Sequence, residues 1–272
     1  MNLFGPMNKI KILLLAFVIL NINANAQDQT KAPVKKKGRF YFAWGYNKDY
    51  FSKSDIHFSN DGSDHYDFTL ENVKAVDRPG YDQIFDSDIA IPQYVYRFGF
   101  YFNDKNDLGI EINFDHTKYV MVDNQVAHLK GTIHEQYYDV DTLVTPSFVK
   151  FEHTNGANFL MINLLKKHKF FTSKNNHHVL NLVGKIGGGI VVPKTDVTLF
   201  GERLDNVFHI AGYVTGIETG LRYELDKYFF SEATVKGTFA NYNNVLTVGT
   251  GKADHTFFTG EIIWTVGVQF PL

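Results

Sequence analysis

IPQYVYRFGFYFNDKNDLGIEINFDHTKYVM, residues 91–121, holds two alternating segments on either side of one polar turn. In the first arm Tyr94, Tyr96, Phe98, Phe100 and Phe102 fall on one face of a period-two strand, and Gln93, Val95, Arg97, Gly99 and Tyr101 on the other. The second arm alternates Leu108, Ile110, Ile112 and Phe114 with Gly109, Glu111, Asn113 and Asp115, and the run from Asn103 to Asp107 supplies the turn chemistry. The pattern predicts a β-hairpin. Each arm runs about ten residues, the length a tilted strand needs to cross a bilayer.

The same alternation recurs on both sides of this hairpin. It predicts strands over Arg39 to Phe51, Ala157 to Phe171, His178 to Val192, His209 to Glu224, Tyr228 to Asn241 and Asp254 to Phe270. The connections alternate in length. Ser52 to Ala90 and Val122 to Gly156 are long and rich in polar and acidic residues, with a hairpin expected through Asp67 to Ala75 in the first. Ser173 to His177 and Leu225 to Lys227 are tight turns, and Pro193 to Phe208 and Tyr242 to Ala253 are of medium length. The Gly187-Gly188-Gly189 run has neither the Lys-Ser/Thr ending nor the following helix of a phosphate loop, and is expected to let its strand bend or approach a neighbour closely.

At the N-terminus Lys9 and Lys11 precede the apolar run Ile12 to Leu20, then Ala24-Asn25-Ala26. That order predicts a secretory signal peptide over residues 1–26. A lysine-bearing, nearly apolar-free leader over 27–38 follows, and the barrel is expected to occupy 39–272. The chain has no cysteine, which excludes disulfides and thiolate metal sites. A formal net charge of −2 gives no basic footprint for nucleic acid.

An even-stranded antiparallel meander with short turns at one end and long connections at the other resembles the small eight-stranded outer-membrane barrels, the class with OmpA-type and OmpW-type barrels and the lipid A palmitoyltransferase and deacylase. The resemblance implies an all-β, eight-stranded, antiparallel up-and-down transmembrane β-barrel with long extracellular loops. It also implies a bacterial outer-membrane location, both termini in the periplasm, and outer-membrane lipid, lipopolysaccharide and the barrel assembly machinery as partners. That machinery reads a terminal aromatic in such proteins, and Phe270 keeps register here with Val266 and Val268. No cofactor is implied, and the ligand stays open between a surface or binding barrel, a narrow small-solute path and an acyl-modifying enzyme.

Alternation alone does not say which face points inward. Trp44, Tyr94, Phe98, Phe100, Phe114, Tyr213, Phe239, Phe258 and Trp264 carry too much bulk for the interior of eight strands, whereas the opposite face carries glycines such as Gly45, Gly99, Gly187 and Gly220. The aromatics are therefore expected outward, toward lipid. The inward set then holds Arg97, Lys185, Arg222 and Lys236 against Glu111, Asp115, Glu218, Glu232 and Glu261. Such a set is either an ion path or a salt-bridge plug, and eight strands leave little lumen for a path.

Two further groups carry possible chemistry. His57, His65, His116, His128, His134, His153, His209 and His255 fall in the long connections or at adjoining strand ends, as an expected polar rim without ligand spacing, so no metal is assigned. His57-Phe58-Ser59 puts an imidazole and a hydroxyl on one side of an extended segment, the minimum for an acyl-transfer nucleophile. This pair resembles the His-x-Ser of the lipid A deacylase, which implies His57 as base, Ser59 as nucleophile and a carboxylate behind them.

Overall fold

The computed structural model describes residues 38–62, 64–80, 93–102, 107–153 and 155–272; the expected signal peptide, the expected leader before Gly38 and most of the expected Asn103–Asp107 turn lie outside them. Strands, numbered along the chain, are β1 (Arg39–Phe51), β2 (Ser54–Asn60), β3 (Tyr66–Val73), β4 (Ala75–Asp77), β5 (Tyr94–Tyr101), β6 (Leu108–Asp115), β7 (Tyr119–Met121), β8 (Gln125–Ile133) and β9 (Gln136–Val144). There follow β10 (Val149–His153), β11 (Phe159–Thr172), β12 (His178–Val191), β13 (Asp196–Leu199), β14 (Glu202–Asp205), β15 (Gly212–Leu225), β16 (Phe229–Leu246) and β17 (Lys252–Pro271).

Eight of these strands form the wall in the order β1-β5-β6-β11-β12-β15-β16-β17, and β1 pairs back onto β17 from Arg39↔Pro271 to Phe51↔Thr259. The sheet is thereby closed, which leaves no unpaired strand edge inside the wall. Outward positions such as Phe40, Phe98, Ile162, Ile186, Ile217, Ile262 and Trp264 are exposed, whereas inward Asn47, Asn113, Asn181 and Gln269 are fully buried. This is the polarity of a barrel solvated by lipid. The inward glycines make room for the crowded interior: a Cβ on Gly99 would sit 2.1 Å from the Tyr41 ring, and one on Gly189 would sit 1.9 Å from the Leu160 carbonyl oxygen.

The described parts of the long connections are not open loops. Above the wall β17 continues upward, and its Lys252 to His255 segment pairs with β2, extending the sheet through β2-β3-β8-β9. A second sheet runs β14-β13-β10-β7-β4. The expected hairpin within the first connection is displaced toward the N-terminus: it joins β2 to β3, with Phe58 opposite Phe68. The reason is packing, since Ile56 and Phe58 alternate with Asp55, His57 and Ser59, and such a segment gains most by turning its apolar face onto another sheet.

Between the two sheets lies an apolar core of Ile56, Phe58, Phe68, Leu70, Phe151 and Val197, continuous below with Phe159, Val214, Ala240 and Phe257 of the wall strands. Phe58 meets Phe151 of the facing sheet edge-on at 5.6 Å. The described parts of the long connections thus build a packed cap over one mouth of the barrel.

Candidate functional site

Pairing register makes the lumen what it is. Across adjacent strands Glu261 faces Lys236, Lys236 faces Glu218, and Glu218 faces Lys185, so inward charges of opposite sign become neighbours. Lys185 Nζ lies 3.1 Å from Glu111, 3.0 Å from Glu218 and 2.7 Å from Glu232. Arg222 Nε donates to Glu232 at 2.6 Å, and its guanidinium sits 4.1 Å from the Phe230 ring centroid and 4.4 Å from that of Tyr41. Arg97 forms an ion pair with Asp115 and lies 3.7 Å from Glu111 and 3.8 Å from Glu218. Lys236 pairs with the same Asp115 and lies 3.7 Å from Glu261.

All nine charged residues of the inward set meet in this one network. Their exposure decides what the network can do: Arg97, Glu111 and Arg222 are 1% accessible, and Lys185 at 5% is the most accessible of the nine. A lumen wide enough for water would leave these side chains accessible along its length, and they are not.

Several participants escaped the sequence reading. Lys167 binds Glu224 at 2.7 Å, Tyr41 donates to Glu111 at 2.5 Å, and Asp49 accepts from Gln93 at 2.9 Å. Parity contained the signal for two of them, since Lys167 shares the inward face with Met161, Asn163 and Leu165, and Glu224 shares it with Glu218 and Arg222. Above the charges Asn47, Asp49 and Gln93 form an amide-carboxylate layer, tied to the cap where the Asp49 backbone N–H donates to Asp77 at 2.9 Å.

The expected rim of polar histidines is corrected for three members: His116 is buried, stacked on Tyr94 and hydrogen-bonded to Asn158, and two others lie deeper. His153 is fully buried and His255 is 3% accessible, both within the aromatic core beside Tyr119, Tyr242, Phe151 and Phe257. Their Nε2 atoms are 3.3 Å apart, and His153 Nδ1 shares a hydrogen bond with Thr195 Oγ1 at 2.9 Å. Burial, then the neighbouring His255 and His209, hold the His153 imidazole well below the usual histidine value, so it is neutral. Among the described residues no group of three or more His, Cys, Asp or Glu side chains is placed to hold a metal ion.

His57 stands on β2 in the cap, above the wall. Its Nδ1 bonds Asp254 at 2.7 Å and its Nε2 bonds Asp67 at 2.9 Å. Burial lowers its pKa, but the hydrogen bonds that it donates to Asp67 and Asp254 outweigh that and raise it overall. With each ring nitrogen held by a carboxylate, the imidazole is arranged as a cation and offers neither nitrogen to Ser59 as a base.

A closed antiparallel barrel with an apolar belt outside and charges inside is a bacterial outer-membrane β-barrel. Comparison with known proteins finds no protein-family model and no curated relative that matches the chain. Solved structures do match. Neisserial surface protein A is 14% identical, with 85% of this chain and 97% of that one covered, at a TM-score of 0.32. The outer membrane protein OprG from Pseudomonas aeruginosa is 13% identical over 86% of this chain and 97% of that one, with a TM-score of 0.39. The outer membrane protease OmpT from Escherichia coli is 10% identical over 90% and 99%, with a TM-score of 0.35. All are outer-membrane proteins, and at these identities no activity passes from them to this chain.

Proposed function

We propose that this protein is a non-conducting surface barrel whose membrane wall anchors a folded cap, and that the cap is the working part, acting by binding rather than by catalysis. The short turns of such barrels face the periplasm and the long connections face outward, which puts the cap outside the cell. The observation that carries the reading is the double closure of the lumen. A fully buried ion-pair network fills the wall, and an apolar core with Phe58, Phe151 and Phe257 lies over it. An ion would have to break the first and enter the second without compensation.

Planar-bilayer recording of the refolded protein tests this. No steady conductance is expected, either in the unaltered protein or in Glu111→Gln. Unitary currents altered by Glu111→Gln would replace the plug with a channel.

A further inference from the structure

Three sheet ends stand outside the closed wall, and they are not alike. The second cap sheet ends on β4 with three residues and on β14 with four, edges too short to template another strand. The sheet that continues from β17 ends on β9, which has nine residues, Gln136-Tyr-Tyr-Asp-Val-Asp-Thr-Leu-Val144, and among the described residues pairs with β8 alone. It contains no proline and no lysine, and its register with β8 runs from Gln125↔Val144 to Ile133↔Gln136 without a bulge. Proline, lysine and a bulge, three of the usual protections of a free edge, are thus missing from a segment of high β-propensity, and its only charges are two aspartates. Its apolar side chains are exposed as well: Tyr137 is 62% accessible, Leu143 53% and Val140 46%.

The hairpin turn says which backbone groups are free. β8 and β9 are joined by His134 and Glu135 alone, both non-glycine and both at positive φ (49° and 70°), the geometry of a type I′ turn. The pair flanking such a turn, Ile133 and Gln136, exchanges both hydrogen bonds, and the pattern then alternates. Tyr138, Val140, Thr142 and Val144 therefore bond to β8, while Tyr137, Asp139, Asp141 and Leu143 direct their N–H and C=O groups away from it.

Charge on this edge is one-sided. Asp139 and Asp141 lie on one face two residues apart, with cross-strand partners Lys130 and His128 on the β8 side. His128 contacts both carboxylates at 2.8 Å, yet their side chains remain 54% and 76% accessible. The far flank of this acidic pair has no cation of its own among the described strands. An added strand with like charges opposite Asp139 and Asp141 would be repelled, and one with cations there would complete a cation–anion–cation ladder.

We propose that β9 is a docking edge for an extended polypeptide segment that alternates basic with apolar residues, which adds as a further antiparallel strand outside the cell. Its backbone bonds the free groups of Tyr137, Asp139, Asp141 and Leu143, its basic residues flank the two aspartates, and its apolar residues continue the face that carries Tyr138 and Val140. This rests on the cap being the binding part of a closed barrel. A second copy of this chain is a poorer occupant, because self-pairing centred on Val140 would put Asp139 against Asp141 of the other copy.

The test uses the full chain folded in detergent and two fluorescent nine-residue peptides, one alternating lysine with valine and one alternating glutamate with valine. Anisotropy is expected to show the lysine peptide binding at least about tenfold tighter. Leu143→Pro removes one free N–H, leaves the charges and the β8 ladder in place, and should weaken that binding by about tenfold. Asp139→Lys with Asp141→Lys should reverse the preference, and unchanged gel mobility of unboiled protein controls for folding. Equal binding of the two peptides, or lysine-peptide binding that Leu143→Pro leaves intact, would overturn the proposal. A dimer sensitive to Leu143→Pro, in place of peptide binding, would overturn the choice of occupant. Conductance with intact peptide binding would sink only the plugged-barrel reading, and a silent barrel with no peptide preference would sink only this one.

Discussion

The wall and the cap share β16 and β17 but have opposite polarity, and β17 shows the change within twenty residues. From Phe258 to Phe270 it turns Phe258, Ile262, Trp264 and Val266 outward and Thr259, Glu261, Thr265 and Gln269 inward. From Lys252 to Phe257 it turns Lys252, Asp254 and Thr256 outward and Ala253, His255 and Phe257 inward. The switch falls between Phe257 and Phe258, where two adjacent apolar residues point to opposite sides. Strand β16 does the same, with Glu232, Thr234, Lys236 and Thr238 inward below Ala240, Tyr242 and Val245. Both ends of β17 are paired in the antiparallel ladder with β16, so backbone hydrogen bonding does not choose the buried side chains. The surrounding solvent does: hydrocarbon takes the apolar face below the switch, and water leaves it for the core above.

The contrast can be broken from either end. In the wall, Arg97→Ala leaves Asp115, Glu111 and Glu218 with only Lys236 and Lys185 to balance them and should lower stability by about 3–5 kcal/mol in denaturant titrations of the lipid-folded protein. Arg203→Ala, which removes a well-exposed partner of Asp196 in the cap, should leave the denaturation midpoint almost unchanged. In the cap, Phe58→Ala opens a cavity between the sheets and should cost about 3–5 kcal/mol. Because the wall does not depend on Phe58, this variant should become protease-sensitive in the cap while its unboiled gel mobility is unchanged. Loss of both together would show the two halves to be one cooperative unit.

Smaller effects sharpen the boundary. Ile262→Arg faces hydrocarbon and should cost about 2–4 kcal/mol, whereas Thr256→Arg, six residues earlier on the same face, should stay within about 0.5 kcal/mol. Comparable costs at both positions would place the polarity switch elsewhere.

Acid should distinguish the halves last. His153 is neutral when folded and has its pKa pushed below the ordinary value, so unfolding takes up a proton. Its contribution is present above the unfolded pKa of about 6.5 and is lost as pH falls below it, at up to about 1.4 kcal/mol per pH unit. Protection of cap amides, taken relative to the intrinsic exchange rate at each pH, should therefore fall at pH about 5 relative to about 7.5, and His153→Leu should flatten that dependence. Exchange with no pH dependence beyond the intrinsic rate would mean that His153 is already charged in the fold.

Much of the wall was legible because it depends on local pattern. The first strand was expected at Arg39 to Phe51 and is observed there, and the strands expected over His178 to Val192 and Asp254 to Phe270 are observed as His178–Val191 and Lys252–Pro271. Which face meets lipid also followed from the residues, since aromatic bulk and glycines on opposite faces allow one arrangement in eight strands. The cap was not legible. Its strands are short, its apolar positions are interleaved with aspartates and serines, and β2, β3 and β8 acquire a core only through β10 and β13, which follow much later in the chain.

Side-chain alternation, with aromatic bulk on one face and glycines on the other, determined that these strands make a wall with charges inside it, because a period of two and a residue's size and polarity are properties of the residue and its neighbours. Tertiary structure alone decided the pairs. Lys185 meets Glu111, Glu218 and Glu232 because β12 sits at one register against its neighbours, and a slip by one residue would turn that lysine to the lipid. The same holds for His153 and His255, whose burial depends on two sheets closing over them from distant parts of the chain, a fact that no local spacing encodes.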